Sequence, residues 1–164
     1  MGPNKVIHRV HKAKDEAPGD WQEGSNLRTD VGINWQATLM GGAGFGVASD
    51  WTLNGRPDFL SITTNSDAPA ASDLSLDDEL AADGLSRDTG VYSHTADESS
   101  YTLTTSWQYT GGSTRTVAKA GICSRRTILA QPTSADTHFV ITALSPVAIL
   151  DSNDTLEIQW GIFY

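Results

Sequence analysis

The residues of this 164-residue chain whose chemistry could go beyond packing are four histidines, one cysteine and a run of carboxylates. His8 and His11 stand three apart in KVIHRVH. That spacing would bring two imidazoles together on a helix but sends them to opposite faces of a strand. His94 and His138 belong to other segments, each beside alternating residues, so no metal-ligand spacing forms and no metal site is expected. Asp73, Asp77, Asp78, Glu79 and Asp83 supply enough carboxylate to attract calcium. They lack the ligand spacing and central glycine of an EF-hand loop, and read as a solvated acidic loop. DSNDT at 151–155 reads as turn chemistry. Cys123 has Arg125 and Arg126 close by, which would lower a thiol pKa, but a half-buried inert thiol is the commoner outcome. As the only cysteine it excludes an internal disulfide and a multi-cysteine zinc site.

Other signatures fail on spacing. GGAGFG at 41–46 does not fit G-x-G-x-x-G and no P-loop lysine follows it, so it reads as a helix-to-loop connection. There is no G-x-S-x-G elbow, although a nucleophile assembled from distant residues would leave no local trace. Trp21, Trp35, Trp51, Trp107 and Trp160 could form a sugar-stacking platform, yet each has a packing explanation in an apolar stripe. With no catalytic constellation, the chain is expected to be non-enzymatic and to use no cofactor.

The elements that would position these residues are mostly strands. KVIHRVH can make a short strand, and KAKDEAPGDWQEG a loop. Leu27, Val31, Trp35 and Leu39 recur every four residues behind Ser25 or Thr29 as a cap, which predicts a helix near 27–40 stopped by Gly41 and Gly42. Strands are expected at 58–64, 89–95, 100–110, 116–122, 125–130 and 137–145, with one helical turn over 75–82. In SYTLTTSWQYT, Tyr101, Leu103, Thr105, Trp107 and Tyr109 share one face. The C-terminal stretch reads as a hairpin: Val147 to Leu150, the DSND turn, then a strand with Leu156, Ile158, Trp160 and Ile162 on its buried face. Short strands between glycine and polar turns, without βαβ alternation, predict a mainly β protein. The expected fold is a single antiparallel, jelly-roll-like β-sandwich with one N-terminal helix. Its domain would span 25–164, behind a basic arm, strand and loop over 1–24.

The chain is 38% hydrophobic and 19% charged, as ordinary globular domains are. Its length suits one domain. No apolar run approaches the roughly 18 residues of a membrane span, and the start lacks the apolar core of a secretory signal, so no membrane contact and folding in a cytosol are expected. A net charge of -9 argues against direct nucleic-acid binding. Lys5, Arg9, Lys12 and Lys14 nevertheless crowd the first fourteen residues. A basic arm on an acidic body could dock on an acidic neighbour, including another copy of the chain. With the apolar end residues Trp160, Phe163 and Tyr164, these four are the interface candidates.

From about residue 26 onward, the order of short motifs resembles a family of small structural proteins of tailed-bacteriophage virions. NLRTDVGINWQATLMGG is similar to the family's opening helix, and FLSITTNSDAPAASDLSLDDEL to its strand and small-residue loop with a Ser-Asp step. DGLSRDTGVYSHTADESSYTLTTSWQYTGGSTRTVAKAGI resembles the next block, with its Gly-Leu-x-Arg start and Ala-Gly-hydrophobic ending. ALSPVAILDSNDTLEIQWGIFY resembles the close, a Ser-Pro, a strand, an Asp-Thr-Leu turn and a tryptophan-containing last strand. CSRRTILAQPTSADTHFV departs from the short Gly-rich turn more usual there. The resemblance implies a homo-oligomeric virion component, assembled in the host cytoplasm, that binds itself and a capsid, neck or tail protein, and it brings no catalytic residues. The alternative is a sugar-binding β-sandwich for host-surface attachment. A glycan hydrolase would need a carboxylate pair in a cleft.

Overall fold

Runs that alternate large apolar with polar residues become antiparallel strands in the computed structural model, which describes residues 5–15, 17–28, 58–96, 100–123 and 138–163. In chain order these are β1 (Lys5–His11), β2 (Gln22–Arg28), β3 (Phe59–Thr63), β4 (Asp88–Thr89), β5 (Val91–His94), β6 (Ser100–Gln108), β7 (Arg115–Cys123), β8 (His138–Leu150) and β9 (Thr155–Phe163). The protein is mainly β, and every strand pair is antiparallel.

The strand order is β4-β3-β7-β8-β2-β1-β9-β6-β5. It divides into two sheets that share β2. The start of β2 pairs with β1 (Val6 opposite Gly24, His8 opposite Gln22), and its end pairs with β8 (Asn26 opposite Thr142, Arg28 opposite Val140). At the far side the two ends of the order, β4 and β5, are separated in sequence by Gly90 alone. The Gly90 amide donates to the Asp58 carbonyl at 2.6 Å. A Cβ there would lie 2.8 Å from Leu60 Cδ1 and 3.2 Å from Leu103 Cβ, so the chain crosses between the sheets where only a glycine fits.

One hydrophobic cluster takes side chains from both sheets. Val6, Leu103, Trp107, Leu156, Ile158 and Trp160 come from the first, and Leu60, Ile62, Val117, Ile122 and Leu150 from the second. The register explains the first set: Val6 faces Trp160, which faces Leu103, and Leu156 faces Trp107. β3 and β7 are buried almost continuously, as strands covered on both faces are. Part of the outer cover is the segment that reads as a solvated acidic loop. Leu80 N–H donates to the Ile62 carbonyl at 2.9 Å, Thr63 Oγ1 to the Asp78 carbonyl at 2.9 Å, and Lys119 Nζ to Asn65 Oδ1 at 2.8 Å.

Three expectations need correction. No helix occurs among the described residues, and Leu27 and Arg28, where the helix was expected to begin, are the end of β2; the rest of 27–40 lies outside the described residues. The strand expected at 125–130 lies outside them as well. The boundary expected near residue 24 falls inside β2, and the residues before it form a strand with neighbours on both sides. The C-terminal hairpin is not formed either: β8 pairs with β7 and β2, and β9 with β1 and β6, so the DSND turn carries the chain from one sheet to the other. Pairing partners far along the chain, invisible to local periodicity, decide all three points.

Candidate interface

β1 and β9 lie side by side, so the interface candidates are brought together, but most of their charge is already used. Arg9 stands opposite Glu157 in the register. Its Nε and Nη2 donate to Glu157 Oε2 at 2.9 and 2.8 Å, and its guanidinium lies 4.2 Å from the centre of the Trp21 ring. His11 Nε2 is 3.1 Å from the same carboxylate oxygen. Lys12 reaches the β8–β9 turn, where Nζ donates to Asp154 Oδ2 at 2.7 Å, to Asp151 Oδ2 at 3.1 Å and to the Ile149 carbonyl at 3.1 Å.

Asp154 is the centre of this clasp. It is 2% exposed, and it also accepts from the Ala13 N–H at 2.9 Å and the Asp151 N–H at 2.8 Å. Burial pushes its carboxyl up, but the bonds from Lys12, Asp151 and Ala13 outweigh that and hold it below the ordinary 3.8. For Lys12, burial favours the neutral amine, yet bonds to Asp154 and Asp151 leave its pKa raised. Asp151 is lowered by hydrogen bonds from Lys12 and Thr114 and by the Lys12 charge. Asn153, at φ 68°, takes the left-handed corner that asparagine tolerates, and its N–H donates to the Tyr109 carbonyl at 2.7 Å. The DSND turn is thus held by β1 on one side and the end of β6 on the other.

The remaining candidates divide. Lys14 is exposed in the turn after β1. Lys5 stands opposite Gly161, and Phe163 opposite Ser100. Tyr164 lies outside the described residues. Trp160 is fully enclosed, so its indole packs within the core and is not presented at the surface. Trp107 is likewise buried, Trp21 carries Arg9 on its ring, and Trp35 and Trp51 lie outside the described residues, so the described tryptophans do not gather into a platform. Among the described residues, no group of three or more His, Cys, Asp or Glu side chains is placed to hold a metal ion.

Two buried polar pairs escaped the sequence reading. Ser61 Oγ on β3 is 2.6 Å from His138 Nε2 on β8, and both residues are fully buried. The imidazole lies across β7 at Gly121, where a Cβ would meet His138 Cδ2 at 2.5 Å. Cys123, opposite His138, is buried outright rather than half exposed. The second pair is Arg87 with Glu79, joined by Nε to Oε1 at 2.5 Å and Nη2 to Oε2 at 2.8 Å, with both side chains almost wholly enclosed. A lone arginine after an acidic run was the only local signal for it.

Val147 and Ile149 of β8 are exposed near the clasp, but the most exposed apolar side chains among the described residues are on β5. All four residues of β5 are exposed, with Val91 at 70% and Tyr92 at 62%, and the Tyr92 ring lies 5.2 Å from that of Tyr101. No family model matches the chain, and no curated protein or solved structure does either.

Proposed function

We propose that the chain is a non-enzymatic structural component of a tailed-bacteriophage virion, a jelly-roll-like β-sandwich that binds copies of itself and a capsid, neck or tail protein. The motif order from residue 26 onward is the ground for the virion. The observation that carries self-association is β5. Among the described residues it ends the strand order, and its four residues include none of the lysine, proline or bulge that commonly blunts an edge. A second copy presenting the same strand antiparallel would extend the sheet and cover Val91 and Tyr92 in an isologous contact. The Ser61–His138 pair supports the non-enzymatic side of the reading, since a fully enclosed hydroxyl acts as a strut between strands rather than as a nucleophile. Sedimentation velocity over a concentration series tests the proposal. The intact protein should associate, and the double variant Val91→Lys, Tyr92→Lys should stay monomeric with an unchanged circular dichroism spectrum. Identical sedimentation of the two would remove β5 as the contact.

A further inference from the structure

We infer that His8 is an acid-sensitive latch that fastens β1 to β8. The ring belongs to β1 and is 2% exposed, while its Nε2 lies 3.0 Å from the Pro146 carbonyl on β8. A carbonyl only accepts, so Nε2 carries the hydrogen and Nδ1 is the bare nitrogen of the neutral imidazole. Nδ1 is buried and has no protein partner among the described residues. A proton can therefore be added only at Nδ1, where it would place a charge and an unanswered donor inside the core.

Among the described residues, no carboxylate faces that charge. On β1 the residues two away on the same face are Val6 and Val10, and the register partners are Ile158 on β9 and Gln22, a neutral amide, on β2. Arg9, His11 and Glu157 form their cluster on the opposite face of the strand, and Glu23 of β2 stands opposite Ile7 on that face too. Further along the inner side, Lys12 is closed on Asp151 and Asp154. On β8, His138 is engaged with Ser61 at the other end of the strand. Burial lowers the His8 pKa from the ordinary 6.5, only partly offset by the bond to Pro146.

The direction of the effect follows by linkage. Opening β1 returns His8 to water, so the open form binds the proton more readily, and the closed form is fully favoured above pH 6.5 and progressively less so as pH falls below it. The Lys12–Asp154 clasp responds only at much lower pH, because its carboxyl lies below 3.8. Mild acid therefore loosens the latch while the clasp still holds. Hydrogen exchange resolved by residue, at pH 7.5 and 5 and corrected for intrinsic rates, tests this on the intact protein and on His8→Gln, which keeps a donor for Pro146 but does not titrate. In the intact protein, β1 and its partners in β2 and β9 should lose protection at pH 5, up to tenfold for each unit by which the His8 pKa lies under 6.5. The variant should show no such loss. An equal loss in the variant, or one spread uniformly over β3 and β7, would overturn the latch. If the variant does not fold, NMR titration of the His8 ring decides instead: a midpoint below 6.5 sustains the latch, and one at or above it overturns it.

Discussion

Removing residues 1–14 should unfold the protein. An exposed basic arm could be deleted with little effect on melting, but β1 is a seven-residue strand inserted between β2 and β9. Its loss would uncover backbone groups on both neighbours, and at about 1 kcal/mol net per hydrogen bond the ladder to β9 alone is worth roughly 5 kcal/mol. Val6, which is fully buried, adds about 2 kcal/mol of lost apolar burial, and Trp160 opposite it would lose its cover. Asp154 would lose its bonds from Lys12 and the Ala13 N–H, at a cost of about 2 kcal/mol more. The total rivals the roughly 5–15 kcal/mol that holds a typical domain together. The assay is far-UV circular dichroism with urea and thermal melts of the intact and truncated chains. A soluble truncation that melts cooperatively near the temperature of the intact protein would refute the placement of β1.

The clasp is open to a double-mutant cycle. Lys12→Met and Asp154→Asn should show a coupling of about 1–3 kcal/mol by urea denaturation at pH 7, with additivity as the contrary result. Because the Asp154 pKa is depressed, the stability it contributes is present above 3.8 and is lost as pH falls through the folded value, so the coupling should vanish in strong acid. Breaking the enclosed pair with Arg87→Met should cost about 3–5 kcal/mol by leaving Glu79 without its guanidinium. Adding Glu79→Met should restore most of that in the same denaturation measurement, and no recovery would mean that the loss is one of shape.

The last turn and the last strand were legible because their code is local: DSND favours a turn, and Leu156, Ile158 and Trp160 alternate with polar residues, whereas the parting of β8 and β9 into different sheets was not. SYTLTTSWQ was readable for the same reason, and both sequences form strands with the expected face inward. The segment QEGSNLR was not, since it lacks period-two alternation and owes its strand form to partners on β1 and β8. Charge was legible in sign but not in destination. Lys12 and Asp154 lie at opposite ends of the chain, and only the β1–β9 pairing shows that the attraction closes inside one molecule. Ser61 and His138 meet across a third strand, a relation that no spacing rule encodes.

The placement of β1 beside β9 also bears on how the protein forms. Val6 and Trp160 are brought face to face by closing a loop about fifteen times longer than a ten-residue hairpin, which costs about 2–3 kcal/mol more in chain entropy. Contacts of such high sequence separation slow folding. The pair lies in the interior of the strand order, so the sheet that holds β1 and β9 does not reach its final complement of strands until the two ends of the chain have found each other. The β6–β9 and β7–β8 pairs therefore have to persist, with one edge of β9 unpaired, for as long as that search takes.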